Sequence, residues 1–103
     1  MLVVSGFNVY PSEIDAVAMA TGLLLECAAI GIPDEKAGEK VVLYAVVKNQ
    51  DVSVEMLSKA LATSLTNYKR PSQIVFVNSL PKSPVGKILR RELRKIPESS
   101  KAS

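Results

Sequence analysis

Residues 23–48 read LLLECAAIGIPDEKAGEKVVLYAVVK: two apolar runs, Leu23 to Ile32 and Lys40 to Lys48, separated by the polar loop PDEKAGE. Runs of Val, Ile, Leu and Ala bounded by Pro and Gly favour strands, and so short a connection returns the second strand antiparallel to the first. Within the second run, VVLYAVV shows no polar alternation, so both of its faces must be covered. This pair is therefore expected to form the centre of a sheet, with the rest of the chain supplying its cover.

Working outward, Leu2 to Val4 and Phe7 to Val9 are short β-favouring runs flanking Ser5-Gly6, which predicts a tight hairpin or bent strand with the glycine at the turn. Pro11-Ser12-Glu13-Ile14-Asp15 marks a helix start, with proline in the first turn and a Ser-x-x-Asp capping pattern. Ile14, Val17, Ala18 and Thr21 then share a face, and Gly22 stops the helix. Beyond the central pair, Ser53 suits an N-cap, and Leu57, Ala60, Leu61, Ser64, Leu65 and Tyr68 make an apolar stripe at helical spacing. Pro71 ends that element, Ile74 to Val77 predict a further strand, and Leu89, Leu93 and Ile96 dock a last helix with Arg90, Arg91, Arg94 and Lys95 outward. The order ββαββαβα implies an α+β fold, a two-layer sandwich in which a small, mainly antiparallel sheet is covered by about three helices.

Composition narrows the chemistry. At 103 residues the chain is one small domain. It has one cysteine and no histidine, which excludes an internal disulfide, a multi-cysteine metal site and an imidazole base. No metal site is expected. Cys27 lies in an apolar run and reads as buried packing. No apolar run approaches the roughly twenty residues that span a bilayer, and the N-terminus lacks a signal core, so the expected location is cytoplasmic. The net charge of +3 is uneven: residues 1–68 hold four Lys and Arg against eight Asp and Glu, whereas residues 69–103 hold nine against two. A basic end suits nucleic acid, an anionic surface or a phosphorylated small molecule, and charge alone does not choose.

The chemistry-bearing stretch is Leu80 to Leu93, LPKSPVGKILRREL. Pro81 and Pro84 fix their own φ and bias Lys82 and Ser83 towards extended backbone, while Gly86 allows a conformation that a side chain would forbid. Lys87 is thus presented on a stiffened loop. A compact cation held this way suits charge developing on a carboxylate or phosphate oxygen, an effect worth about a hundred- to a thousandfold in rate; the alternative, which spacing alone favours, is an ordinary solvated lysine at a loop-to-helix junction. It is not a Walker loop, because no glycine stands five residues before Gly86 and Ile88 replaces the magnesium-binding Ser or Thr.

Residues 68–94, YKRPSQIVFVNSLPKSPVGKILRRELR, resemble the closing segment of the AMP-forming acyl-CoA synthetases and their adenylating relatives. The matching positions are Tyr68, Lys69, Pro71, Phe76, Val77, Leu80, Pro81, Lys82, Gly86, Lys87, Arg90 and Leu93. LVVSGFNVYPSEID (2–15) resembles the other signature of the same domain and is most similar in wording to the long-chain fatty acid–CoA ligases. The resemblance implies residues 1–96 as the C-terminal lid domain of such a ligase and 97–103 as a disordered tail. It further implies a two-step reaction: a fatty acid carboxylate and ATP give acyl-adenylate and pyrophosphate, and coenzyme A then takes the acyl group as a thioester. Lys87 is the expected catalytic group of the first step, with Pro81, Lys82 and Gly86 positioning its loop. Ser5, Gly6, Phe7 and Asn8 are expected to line the CoA and nucleotide side, Gly6 giving the pantetheine arm room to pass. Asn8 stands where many members carry arginine, and Ala37 stands where some carry a basic residue, with Lys36 and Lys40 as substitutes.

By the same resemblance, this domain alone binds no cofactor. ATP, Mg and CoA belong to the full enzyme, whose larger N-terminal adenylation domain is missing here and whose hinge is expected just before Met1. The isolated chain is accordingly expected to be inactive. The partners implied are that domain and the substrates ATP, fatty acid and CoA, with no nucleic acid, and with room for membrane association in the parent enzyme only. The alternative from another class is a small basic module that binds nucleic acid or protein through Arg90, Arg91, Arg94 and Lys95. The scattered aromatics and the absence of a nucleic-acid fold signature weigh against it. A free-standing interaction domain derived from a ligase is a third candidate, disfavoured by the intact Gly86-Lys87 loop.

Overall fold

The computed structural model describes residues 1–36 and 38–94. The expectations placed on Ala37, Lys95, Ile96 and the 97–103 tail lie outside them. In chain order the elements are β1 (Leu2–Val4), β2 (Phe7–Val9), α1 (Pro11–Ala20), β3 (Leu24–Asp34), β4 (Gly38–Val47), α2 (Val54–Ser64), a 3-10 turn (Asn67–Lys69), β5 (Gln73–Phe76) and α3 (Arg90–Leu93). The predicted order holds throughout.

The long β3–β4 hairpin is the spine of a five-stranded sheet, its antiparallel register running from Leu24 opposite Val47 to Asp34 opposite Gly38. The other edge of β4 is shared. β1 meets it antiparallel at Gly38, and β5 lies parallel along Val42 to Ala45. The sheet is thus mainly antiparallel, with one parallel pairing.

Side chains along β4 alternate between two apolar clusters, as the unbroken run VVLYAVV requires. Val41, Leu43 and Ala45 pack with Ile14 and Ala18 of α1 and Leu57 and Leu61 of α2. On the opposite face, Val42 and Tyr44 pack with Val75, Leu80, Ile88 and Leu93. Helices α1 and α2 therefore form the second layer of the sandwich, while the chain after β5 covers the far face. Each fully buried Leu or Ile contributes on the order of 1.5–3 kcal/mol through the area it removes from water.

Four expectations are corrected. The β3–β4 pair is not the centre of the sheet: β4 alone is central, with β3 forming one edge. Helix α1 has Pro11 in its first turn but no side-chain cap, so the Ser12-x-x-Asp15 pattern is not used. Asp15 instead reaches β3. Helix α2 is capped as expected, Ser53 Oγ accepting from the Met56 N–H at 3.1 Å, but it ends at Ser64 rather than running on to Tyr68. Arg70 accounts for the stop: its guanidinium donates to the carbonyls of Leu65 at 3.0 Å and Ala62 at 2.9 Å, satisfying acceptors that a continuing helix would have used. Finally, Arg90 does not point outward but is turned onto the edge of β3.

Candidate functional site

The stretch after Leu80 folds back on itself as a small hairpin, here called the finger. Lys82 pairs with Ile88 in an antiparallel bridge, and the Leu89 N–H donates to the Pro81 carbonyl at 2.8 Å. At the far end the Gly86 N–H donates to the Ser83 carbonyl at 2.9 Å, closing a turn with Pro84 and Val85 at its centre. Gly86 follows with φ +86°, a left-handed conformation that lets the chain rejoin its partner leg as a hairpin with a one-residue bulge. Proline suits the second position of such a turn and glycine the left-handed one.

Lys87 is the first residue of the return leg. Its backbone is held from both sides: the carbonyl accepts from the Ser83 N–H at 2.8 Å, and its N–H donates to Ser83 Oγ at 3.2 Å. The side chain is exposed, and among the described residues no carboxylate pairs with it. Val85, beside it at the tip, is 84% exposed. The finger's legs are tied down at their base. Lys82 Nζ lies 2.8 Å from Glu26 on β3, and Leu80 and Ile88 sit in the second core cluster.

The other group of expected residues gathers at the β1–β2 turn. Ser5 and Gly6 have φ of 52° and 84°, the pair of left-handed residues that a two-residue hairpin turn demands. No atom stands within 4 Å of where a Cβ on Gly6 would be, so the backbone is open to close approach. Phe7 stacks on Tyr68 with ring centroids 4.3 Å apart. A cleft of about 470 Å³ runs beside this turn, bounded by Val4, Ser5, Phe7, Lys40, Tyr68 and Arg70. Asn8 is exposed opposite Val3, on the face of the hairpin away from Phe7.

The model "AMP-binding enzyme C-terminal domain" matches residues 13–87, ending on the finger lysine. The chain belongs to this family. Over 94 residues it is 49% identical to the long-chain-fatty-acid–CoA ligase of Salmonella typhimurium, a match covering 91% of this chain but 17% of that ligase. A fatty acyl CoA synthetase of Mycobacterium tuberculosis has the same fold at TM-score 0.86 and 38% identity, covering 92% of this chain and 19% of that one. ATP-bound MatB from Rhodopseudomonas palustris gives TM-score 0.86 at 31% identity, again over 92% of this chain and 19% of that one. What the chain matches is thus the C-terminal domain of much longer acyl-CoA synthetases.

In this AMP-binding C-terminal domain the expected site residues fall into two groups rather than one. Pro81, Lys82, Gly86 and Lys87 form the finger, whose Lys82 is tied to Glu26. Ser5, Gly6, Phe7 and Asn8 form the turn that meets β4 at Gly38, opposite Asp34. Glu26 and Asp34 are near opposite ends of β3, roughly 26 Å apart at about 3.3 Å per residue. Among the described residues no group of three or more His, Cys, Asp or Glu could hold a metal ion. Cys27 is 5% exposed, and burial, reinforced by the nearby Asp15 carboxylate, pushes its thiol up to about 12 from 9.0. It is a packing residue.

Several contributors were not legible as such. Tyr68 reads as part of the α2 stripe but is carried by the 3-10 turn to Phe7. Lys69 beside it bonds Glu13 of α1 at 3.0 Å, a contact that raises the ammonium's pKa and secures the turn. Ser83 is the missed partner of Lys87. The Ser-Pro-x-Gly spacing was the available signal, since serine readily bonds backbone groups beside a turn.

Proposed function

We propose that this domain serves an AMP-forming ligase that activates a long-chain fatty acid and transfers it to coenzyme A, with Lys87 acting in the first step. A carboxylate oxygen of the fatty acid attacks the α-phosphorus of ATP, and the bond to pyrophosphate breaks. The Lys87 ammonium sits between the two anions, orienting them and offsetting charge on the phosphoryl oxygens as the fifth bond forms. In the second step the CoA sulfur attacks the acyl carbonyl and AMP leaves, with the Ser5-Gly6 turn lining the thiol's approach. Adenine, ribose and magnesium contacts and the fatty acid tunnel belong to the larger domain that the relatives carry.

The observation that carries this proposal is the pinning of Lys87 by Ser83 on a hairpin that leaves its ammonium exposed and free of any described carboxylate. A lysine that merely decorated the surface would need neither the turn nor the double backbone tie. The open space at Gly6 supports the second role, and the separation of the two loops along β3 supports their use in different steps.

The test uses a fusion in which this chain replaces the corresponding segment of the Salmonella typhimurium ligase, the unsubstituted fusion serving as reference. Lys87→Ala is expected to slow pyrophosphate release by about a hundredfold or more. Thioester formation from supplied acyl-adenylate should stay near the reference rate. Equal loss in both half-reactions, or none in the first, overturns the assignment.

A further inference from the structure

At the outer edge of β3 a ring of polar contacts closes around one peptide unit. The Ala29 N–H donates to Asp15 Oδ1 at 2.7 Å. The Arg90 guanidinium donates through one terminal nitrogen to the Ala29 carbonyl at 2.9 Å and through the other to Asp15 Oδ2 at 2.6 Å. β3 is an edge strand, so the outward peptide groups of Ala29 have no neighbouring strand to pair with. Here a carboxylate from α1 and a guanidinium from α3 engage its donor and its acceptor together. The Asp15 side chain is 17% exposed and that of Arg90 41%, so the pair is only partly screened by solvent.

Ala29 is itself buried, so the ring supplies partners to a peptide shielded from water, and in doing so it ties together elements far apart in sequence. Arg90 is the first residue of α3, three positions after Lys87, where the return leg of the finger ends. The outgoing leg is already held to β3 through Lys82 and Glu26. Both legs of the finger are thus clamped to one strand by charged groups, and the clamp on the lysine's own leg is the stronger in geometry, because a planar guanidinium meets two acceptors at once.

We propose that Arg90 is a positioning residue for Lys87: by gripping Ala29 and Asp15 it fixes the return leg on β3 and so holds the ammonium in the place adenylation requires. This rests on the role assigned to Lys87 above. Displacing a reacting group by about 1 Å costs on the order of a hundredfold in rate, so a tie that removes a fraction of that freedom is worth about tenfold.

In the same fusion, Arg90→Ala is expected to slow adenylation about tenfold while thioester formation from supplied acyl-adenylate changes less than about twofold. Arg90→Lys should fail to restore the rate, because an ammonium cannot span both acceptors. The decisive comparison is in the Lys87→Ala background, where Arg90→Ala should cause no further loss, since there is no ammonium left to position. Asp15→Asn keeps the side-chain volume and an acceptor for the Ala29 N–H, so it loosens the clamp without emptying it; a smaller, equally selective loss is expected. Equal damage to both half-reactions, or a full additional loss on top of Lys87→Ala, overturns the proposal and leaves Arg90 as a fold-stabilising residue. Adenylation unchanged in both Arg90→Ala and Asp15→Asn overturns it as well. If Lys87→Ala itself leaves adenylation intact, the functional assignment has failed; if it abolishes adenylation and Arg90→Ala does not slow it, only the clamp has failed.

Discussion

Ser83 and Lys87 face each other across the finger, with the Ser83 N–H 2.8 Å from the Lys87 carbonyl oxygen and the Lys87 N–H 3.2 Å from Ser83 Oγ. The first contact is pure backbone and survives any substitution that keeps the turn. The second depends on the hydroxyl. Ser83→Ala is therefore expected to cost about 0.5–1.5 kcal/mol of local order, read as a several-fold slower adenylation with little change in melting temperature. An unchanged rate would show that the hydroxyl does not steady the lysine.

Gly86 tests the turn itself. Its φ of +86° lies where L-residues are strained, yet nothing stands within 4 Å of an added Cβ, so the cost of a side chain is one of backbone alone. Gly86→Ala should destabilise the finger by about 1–2 kcal/mol, and Gly86→Asn by less, because asparagine tolerates the left-handed region. Amide hydrogen exchange at Lys87 and Leu89 should follow that ranking, with similar protection for all three proteins counting against it.

The Phe7–Tyr68 stack joins the β1–β2 turn to the segment after α2. Removing either ring should weaken the turn, and a double-mutant cycle of Phe7→Ala and Tyr68→Ala should give a coupling of about 0.5–1.5 kcal/mol in stability. In the fusion, the thioester half-reaction should suffer more than adenylation. The reverse pattern would detach this turn from the second step.

Cys27 predicts a pH effect. Its thiol is held protonated in the fold, up to about 12, chiefly by burial. The folded state therefore binds this proton more tightly than the unfolded chain, and the stability linked to it is complete below about 9 and is lost as pH rises from there towards 12. The melting temperature of the native chain should fall faster above pH 9 than that of Cys27→Ala. Parallel curves would refute the linkage. Thiol reagents at pH 8 should leave the native protein unmodified.

How much of this was legible depends on how local each signal is. The unbroken run VVLYAVV announced a strand covered on both faces, the Ser-Gly pair announced its hairpin, and the Pro and Gly residues before Lys87 announced a stiffened loop though not that it pairs as a hairpin, because those signals are carried by neighbouring residues. Asp15 and Arg90 were misread for the opposite reason. Each has a sound local explanation, a capping box for one and a solvated helix face for the other, and only the fold brings them to Ala29 across 14 and 61 residues of sequence. Tyr68 was placed on the right face of the wrong element, since the helix period runs on through Ser64 while Arg70, from beyond the stripe, ends the helix. The stiffened stretch that carries Lys87 was readable from its Pro and Gly residues, but the hydroxyl that fixes the lysine's backbone could be assigned only once the two legs were seen to pair.

The β3–β4 ladder has a consequence for timing. The lysine-bearing hairpin is fastened to β3 at Glu26 and Ala29, and the Ser5-Gly6 turn joins the same ladder through Gly38, so one strand pair carries both loops. A tilt of the whole domain moves both loops together, as on a see-saw. On the proposed function, in which the two loops serve different steps, this shared ladder is a ready basis for using them in turn.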